Sequence, residues 1–120
     1  MKRWVLLEHK VYKFNEDNIH YDILFENGSD CLTWKIFQIP KFNGNPVPIF
    51  KQDNHRLVWL STEQKILSRG RGSVQRIDFG TFTLIDGDLS DSCFSVKLDG
   101  NILSEIFYKN EDLLSILPMY

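Results

Sequence analysis

What the chain lacks narrows its class first. Only two cysteines occur in its 120 residues. Both Cys31 and Cys93 sit in apolar, strand-like runs, so they read as buried reduced thiols rather than a disulfide framework. No apolar run approaches the ~20 residues of a membrane helix. Met1 to Glu8 begins like a secretory signal, but its apolar stretch, Trp4 to Leu7, meets Glu8 at once and is too short to be one. A cytoplasmic protein without membrane contact is therefore expected. Positive charge is not in excess either: 14 Lys and Arg stand against 16 Asp and Glu, for a formal charge of −2. That balance excludes a protein that coats nucleic acid by charge alone, and leaves room for a small cationic pocket. There is no internal repeat, low-complexity run or linker, and residues 1–120 read as a single domain.

What is present suits a small globular core. Hydrophobic residues make up 42% and charged residues 25% of the chain, ordinary proportions for a soluble domain. Nine Phe, three Trp and four Tyr supply much of the core volume. The pattern reads as short strands between turn signals. Trp4 to Glu8 is a strand ending at His9, and the polar stretch 10–18 is a loop or irregular helix. Residues 19–26 form a strand, Asn27-Gly28 a hairpin turn, and Cys31 to Phe37 the return strand. Pro40 to Pro48 is a proline-rich loop. Phe50 to Asn54 and His55 to Leu60 read as strands, and Ser61 to Lys65 adds a turn of helix. Val74 to Asp78 and Gly80 to Ile85 read as two strands around Phe79-Gly80. Cys93 to Leu98 and Ile102 to Tyr108 form a hairpin. Leu113, Leu114 and Leu117 have helical spacing and predict a short C-terminal helix. The whole predicts a mainly β fold, a small antiparallel barrel of about seven or eight strands with little helix.

Chemistry gathers around the strand Ile19 to Glu26. Residues i and i+2 of a strand share a face, so His20 and Asp22 project together, opposite a core face of Tyr21, Ile23 and Phe25. His9, His20 and Asp22 would make a set of two imidazoles and one carboxylate, which leaves coordination positions open and suits Mn, Fe or Zn. Taken alone, a His-x-Asp triplet is short and common, and its spacing reads first as surface histidines with Asp22 solvating an exposed face. Arg69 and Arg71 alternate with Gly70 and Gly72 in a loop that could cradle an anion, or simply be solvated. Trp59, on the face of His55, reads as core or as a platform for a base, whereas Trp34 reads as core.

These motifs occur in an order that resembles one family. Trp4-Val5-Leu6-Leu7-Glu8-His9, His20-Tyr21-Asp22, Leu32-Thr33-Trp34, Asp53-Asn54-His55-Arg56-Leu57, Gly70-Arg71-Gly72-Ser73-Val74 and Asp78-Phe79-Gly80-Thr81-Phe82 are similar to segments of the 3′-phosphoesterase domain of bacterial DNA ligase D and its standalone relatives. Leu98-Asp99-Gly100-Asn101, with Leu103 and Phe107, is similar to that family's closing hairpin. The resemblance runs over residues 3–109. It implies a β-barrel with a crescent-shaped groove and a divalent ion, Mn²⁺ above all, with Zn²⁺ or another transition metal as the alternative. It implies trimming of a 3′-ribonucleotide or removal of a 3′-phosphate from a primer-template end of DNA or DNA/RNA, ahead of a separately encoded ligase or polymerase. His9, His20 and Asp22 match the metal ligands, and His55 matches a histidine on the scissile phosphate. Lys51 falls where an arginine often stands near the phosphate, with Arg69 and Arg71 as further cations.

The chain also departs from the family pattern. Leu24 stands in place of an arginine, Trp59 in place of a tyrosine, and Gln38 in place of a lysine for which Lys35 is a substitute. The interval from His9 to His20 is longer, and the Gly-Arg-Gly loop is shorter. A second reading follows: a weakly active or non-catalytic module that keeps the metal site and binds a nucleic-acid end or a partner.

Overall fold

The computed structural model describes residues 1–13 and 16–118, the side chains of residues 12, 13, 16, 17 and 69 excepted. Ten strands follow one another: β1 (Arg3–Lys13), β2 (Glu16–Asn27), β3 (Asp30–Ile36), β4 (Val47–Lys51), β5 (His55–Arg56), β6 (Gln64–Ile66), β7 (Ser73–Asp86), β8 (Cys93–Gly100), β9 (Ile106–Asn110) and β10 (Leu113–Leu117). All pairings are antiparallel. Eight strands run in the order β1-β2-β3-β4-β10-β9-β8-β7, and β7 returns to β1 to close the barrel, with β5 and β6 as additions on β3 and β7. The mainly β barrel expected from the turn spacing is thus the observed fold. Among the described residues no helix is long and apolar enough to cross a membrane.

The period of two divides the apolar residues between two clusters. Trp4, Leu6, Ile23, Phe25, Trp34, Ile36, Phe82, Phe94, Val96, Leu98 and Phe107 fill the barrel interior. The alternate residues Val5, Leu7, Leu24, Cys31 and Val74 lie on the outer face of the same wall, beneath Leu60. That outer layer explains the largest departures from the sequence reading. The expected strand His55 to Leu60 is only two residues long and turns into a 3-10 helix over Leu57–Ser61. The helix carries Leu57, Trp59 and Leu60 across the wall, and a continued strand would leave Leu7 and Leu24 in water. No turn of helix forms at Ser61 to Lys65, where β6 begins instead.

Four other expectations change. The stretch 10–18 extends β1 and β2 into a paired ribbon, with Lys10↔Ile19 and Val11↔Asn18 in register; residues 14 and 15 lie outside the described residues. The C-terminal helix is β10: Leu114 is buried and Leu113 is exposed, the alternation of a strand, and β10 is needed to join β9 to β4. The two strands around Phe79-Gly80 are one, because a Cβ at Gly80 would stand 1.9 Å from the Asp99 carbonyl oxygen; the glycine admits the neighbouring backbone rather than making a turn. Cys31 is a buried free thiol as expected, but Cys93 is exposed, since it opens β8 at the barrel rim.

The first turn after β8 is held by one carboxylate. Asp78 is buried and accepts hydrogen bonds from the backbone N–H groups of Phe79, Asn101, Ile102 and Leu103.

Candidate metal centre

The site lies on the outer face of the barrel wall, not in its bore. In β1, His9 continues the outward parity of Val5 and Leu7; in β2, His20 and Asp22 continue that of Leu24. His9 and His20 are direct cross-strand partners, as are Leu7 and Asp22. A bulge between Leu6 and Leu7 in the β1–β7 pairing bends the strand beside the site. Two imidazoles and a carboxylate thus meet with their donor atoms all within 4.8 Å of one another.

The contacts test whether this set fits an ion. His9 Nδ1 faces His20 Nε2 at 3.1 Å, and His20 Nε2 lies 3.6 Å from Asp22 Oδ1. Metal–nitrogen bonds of ~2.1 Å place neighbouring ligand atoms roughly 3.0–3.4 Å apart, so small side-chain adjustments suffice. The other nitrogen of His9, Nε2, lies 3.1 Å from the Arg71 carbonyl oxygen. A carbonyl only accepts, so His9 Nε2 carries the proton and the Nδ1 lone pair faces the site. Both the His20 and the Asp22 side chains keep only 14% exposure, which leaves the centre partly shielded and still open on one side. The same geometry allows His20 Nε2–H to donate to His9 Nδ1 when no ion is bound.

The loop that supplies the carbonyl is fixed by backbone fit. Gly72 has φ +94°, and a Cβ there would stand 1.8 Å from the Lys10 carbonyl oxygen, so the loop presses against β1 next to His9. The Arg71 guanidinium bonds Ser68, through Nε to the carbonyl at 3.1 Å and through a terminal nitrogen to Oγ at 3.1 Å.

A cavity of about 190 Å³ opens beside the triad, lined by His9, Asp22, His55 and Arg71 with apolar walls from Leu7, Trp59, Leu67 and Val74. His55 Nδ1 lies 3.0 Å from the Asp53 carbonyl oxygen, which by the same logic protonates Nδ1 and frees Nε2. The His55 and Trp59 rings meet edge to face, with centroids 6.2 Å apart. Trp59 is therefore both a lid on the outer apolar layer and a wall of the cavity.

Among the sequence candidates, His9, His20, Asp22, His55 and Arg71 come together. The Arg69 side chain lies outside the described residues. Lys51 is not brought to this cavity. It pairs with Trp34 and shares the inward parity of Val47 and Ile49, so it lies over the Trp34 ring at 5.3 Å and lines a different opening with Lys109. Burial holds its ammonium below the usual lysine range, with Asp53 and Asp30 acting in the opposite direction. Leu24 does share the parity of His20 and Asp22, yet it is fully buried in the floor under the 3-10 helix.

Lys35, named above as a substitute for the family lysine, and two phenylalanines that the motifs did not single out complete the surroundings. Lys35 is the direct cross-strand partner of Asp22, and Phe50 is that of Lys35. The Phe37 ring stands 6.4 Å from that of His20. Only the register of β2, β3 and β4 reveals this row; strand alternation alone gave each residue a face without its neighbours. No family model and no curated protein matches the chain.

Proposed function

We propose that the chain is a metal-dependent phosphoesterase-like protein that processes 3′-phosphate or 3′-ribonucleotide ends of nucleic acid in DNA repair, with Mn²⁺ as the preferred ion. The observation that carries this reading is the convergence of His9, His20 and Asp22 at the edge of a cavity that His55 and Arg71 also line. A mixed nitrogen and oxygen donor set suits Mn²⁺, Fe²⁺ or Zn²⁺ over Ca²⁺ or Mg²⁺. When bound there, the ion supplies Lewis-acid polarisation of a phosphate oxygen and a water of lowered pKa.

The protein groups then have distinct tasks. The Arg71 carbonyl fixes the His9 ring so that Nδ1 points into the site. His55, held at Nδ1 by the Asp53 carbonyl, presents Nε2 to the phosphate, and as the imidazolium, protonated at both nitrogens, it is placed to protonate the leaving oxygen. The Arg71 side chain, exchanging its Ser68 partners for phosphate oxygens, stabilises charge as it develops. Leu7, Leu67 and Val74 keep the cavity wall dry and strengthen those interactions.

One set of observations favours a second reading, a non-catalytic or weakly active module that binds an end or a partner. Leu24 is packed away as core and Lys51 lies over Trp34, so fewer cations surround the phosphate position than the resemblance implies. Purified protein with Mn²⁺ and a primer-template bearing a 3′-phosphate, beside H20A, decides between the two. Phosphate release by the wild type and not by H20A supports the enzyme. Retained Mn²⁺ and end binding without release supports the module.

A further inference from the structure

We infer that the exposed pair Phe37 and Phe50 is a stacking platform for the terminal base of a nucleic-acid 3′ end whose phosphate sits at the His9-His20-Asp22 centre. This rests on the reading above and adds a recognition element to it.

Phe37 and Phe50 are 61% and 45% exposed, although apolar side chains of this size are normally covered or used. They meet edge to face with ring centroids 5.9 Å apart, so they form one aromatic surface rather than two isolated side chains. Their place in the fold gives that surface a purpose. Leu7, Asp22, Lys35 and Phe50 are successive cross-strand partners on β1, β2, β3 and β4. All four project from the outer face, in one straight row. The row reads apolar floor, carboxylate of the metal centre, cation, aromatic ring. Adjacent strands are ~4.8 Å apart, so the aromatic position lies roughly 10 Å from the carboxylate strand, with an ammonium between.

A nucleotide presents the same sequence of chemistry: a phosphate, a sugar linked to it, and a planar base. With the phosphate beside Asp22 and His20, Lys35 meets the backbone charge and the base reaches the phenylalanine rings. Phe37 also contacts the His20 ring edge to face, so the platform begins where the metal centre ends. The occupant is a single unpaired nucleobase at an end. Stacking on phenylalanine tolerates any base, because every base has a π-face.

The test uses Mn²⁺-loaded protein and an oligonucleotide ending in a 3′-methylenephosphonate, in which a CH2 group replaces the bridging 3′-oxygen so that the end cannot be hydrolysed. A second oligonucleotide lacks its terminal base. Fluorescence anisotropy gives Kd for the wild type, F37A, F50A and the double variant, with Mn²⁺ affinity measured by calorimetry in each. The inference predicts a Kd about tenfold weaker for the double variant, equal Kd values for the two oligonucleotides in that variant alone, and unchanged Mn²⁺ affinity. Equal Kd values for the two oligonucleotides in the wild type would overturn the platform while leaving the phosphoesterase reading intact. Absence of any end binding, together with no phosphate release from a primer-template bearing a 3′-phosphate, by a wild type that holds Mn²⁺ would overturn both. Self-association of the wild type that the double variant abolishes would assign the pair to an interface between copies and overturn the platform.

Discussion

At the scale of single residues, face decides role. His9, His20 and Asp22 converge because one pair is cross-strand and the other is i, i+2 on the same strand. Lys51 carries the right charge on the wrong face. K51A is therefore expected to leave phosphate release within about threefold of the wild type, whereas H55A and R71A should each lower kcat by about a hundredfold; initial rates of phosphate release with saturating Mn²⁺ check this. The two thiols divide in the same way. Burial pushes the Cys31 thiol up to about 11, and Cys93 is exposed. Alkylation of native protein at pH 8, read by mass spectrometry, should modify Cys93 alone. The raised folded pKa of Cys31 also means that stability falls as pH climbs from the unfolded value, near 9.0, towards 11. The shared face of His20 and Asp22 was legible in the sequence because a strand's period of two needs no tertiary information, whereas His9 was joined to them by the family resemblance and takes its place through the β1–β2 register. The position of Lys51 was not, because its parity follows from the β3–β4 register.

At the scale of elements, most errors trace to surfaces the chain covers with itself. A strand continuing through Leu57 to Leu60 matched the local pattern, but Leu7, Leu24 and Cys31 needed a cover, and the 3-10 helix provides it. Leu113 to Leu117 satisfied a helical spacing and a strand alternation equally; the open position between β9 and β4 selected the strand. Two close approaches can be tested. G80A would drive a Cβ into the Asp99 carbonyl and should cost about 3 kcal/mol or more by urea denaturation. D78N would remove acceptor capacity from four backbone donors in the buried turn and should cost about 3 kcal/mol. Full stability of D78N would remove Asp78 from its role as the anchor of the β8–β9 connection.

At the scale of the molecule, closure of the barrel creates the site. The pairing of β1 with β7 brings Val74 opposite His9 and carries the Gly70–Gly72 loop onto β1, so the imidazole and the carbonyl that orients it come from opposite ends of the strand order. The barrel class was legible from regular turn spacing and alternating strands. The doubly buried wall was not, because no local pattern says which outer face a later segment will cover. The first strand is also clamped electrostatically. Arg3 donates to Glu26 from its backbone and its guanidinium, and these bonds hold the Glu26 carboxyl below the usual carboxylate range. Its stabilisation is present above the unfolded value near 4.5 and is lost as pH falls through the lower folded value. E26Q should therefore have a lower Tm than the wild type at pH 7, with the difference closing at acid pH. Both side chains are partly solvated, so the effect at pH 7 is at most about 1 kcal/mol.

The most direct measurement of the central claim is a Mn²⁺ titration of the metal-free protein, followed by electron paramagnetic resonance and calorimetry, for the wild type, H9A, H20A and D22A. The proposed function predicts one Mn²⁺ per chain, weakened at least about a hundredfold by each substitution, with the fold retained by circular dichroism. Absence of Mn²⁺, Fe²⁺ and Zn²⁺ binding, or binding that survives H20A and D22A unchanged, would contradict it and leave the two histidines as a hydrogen-bonded pair on the barrel wall.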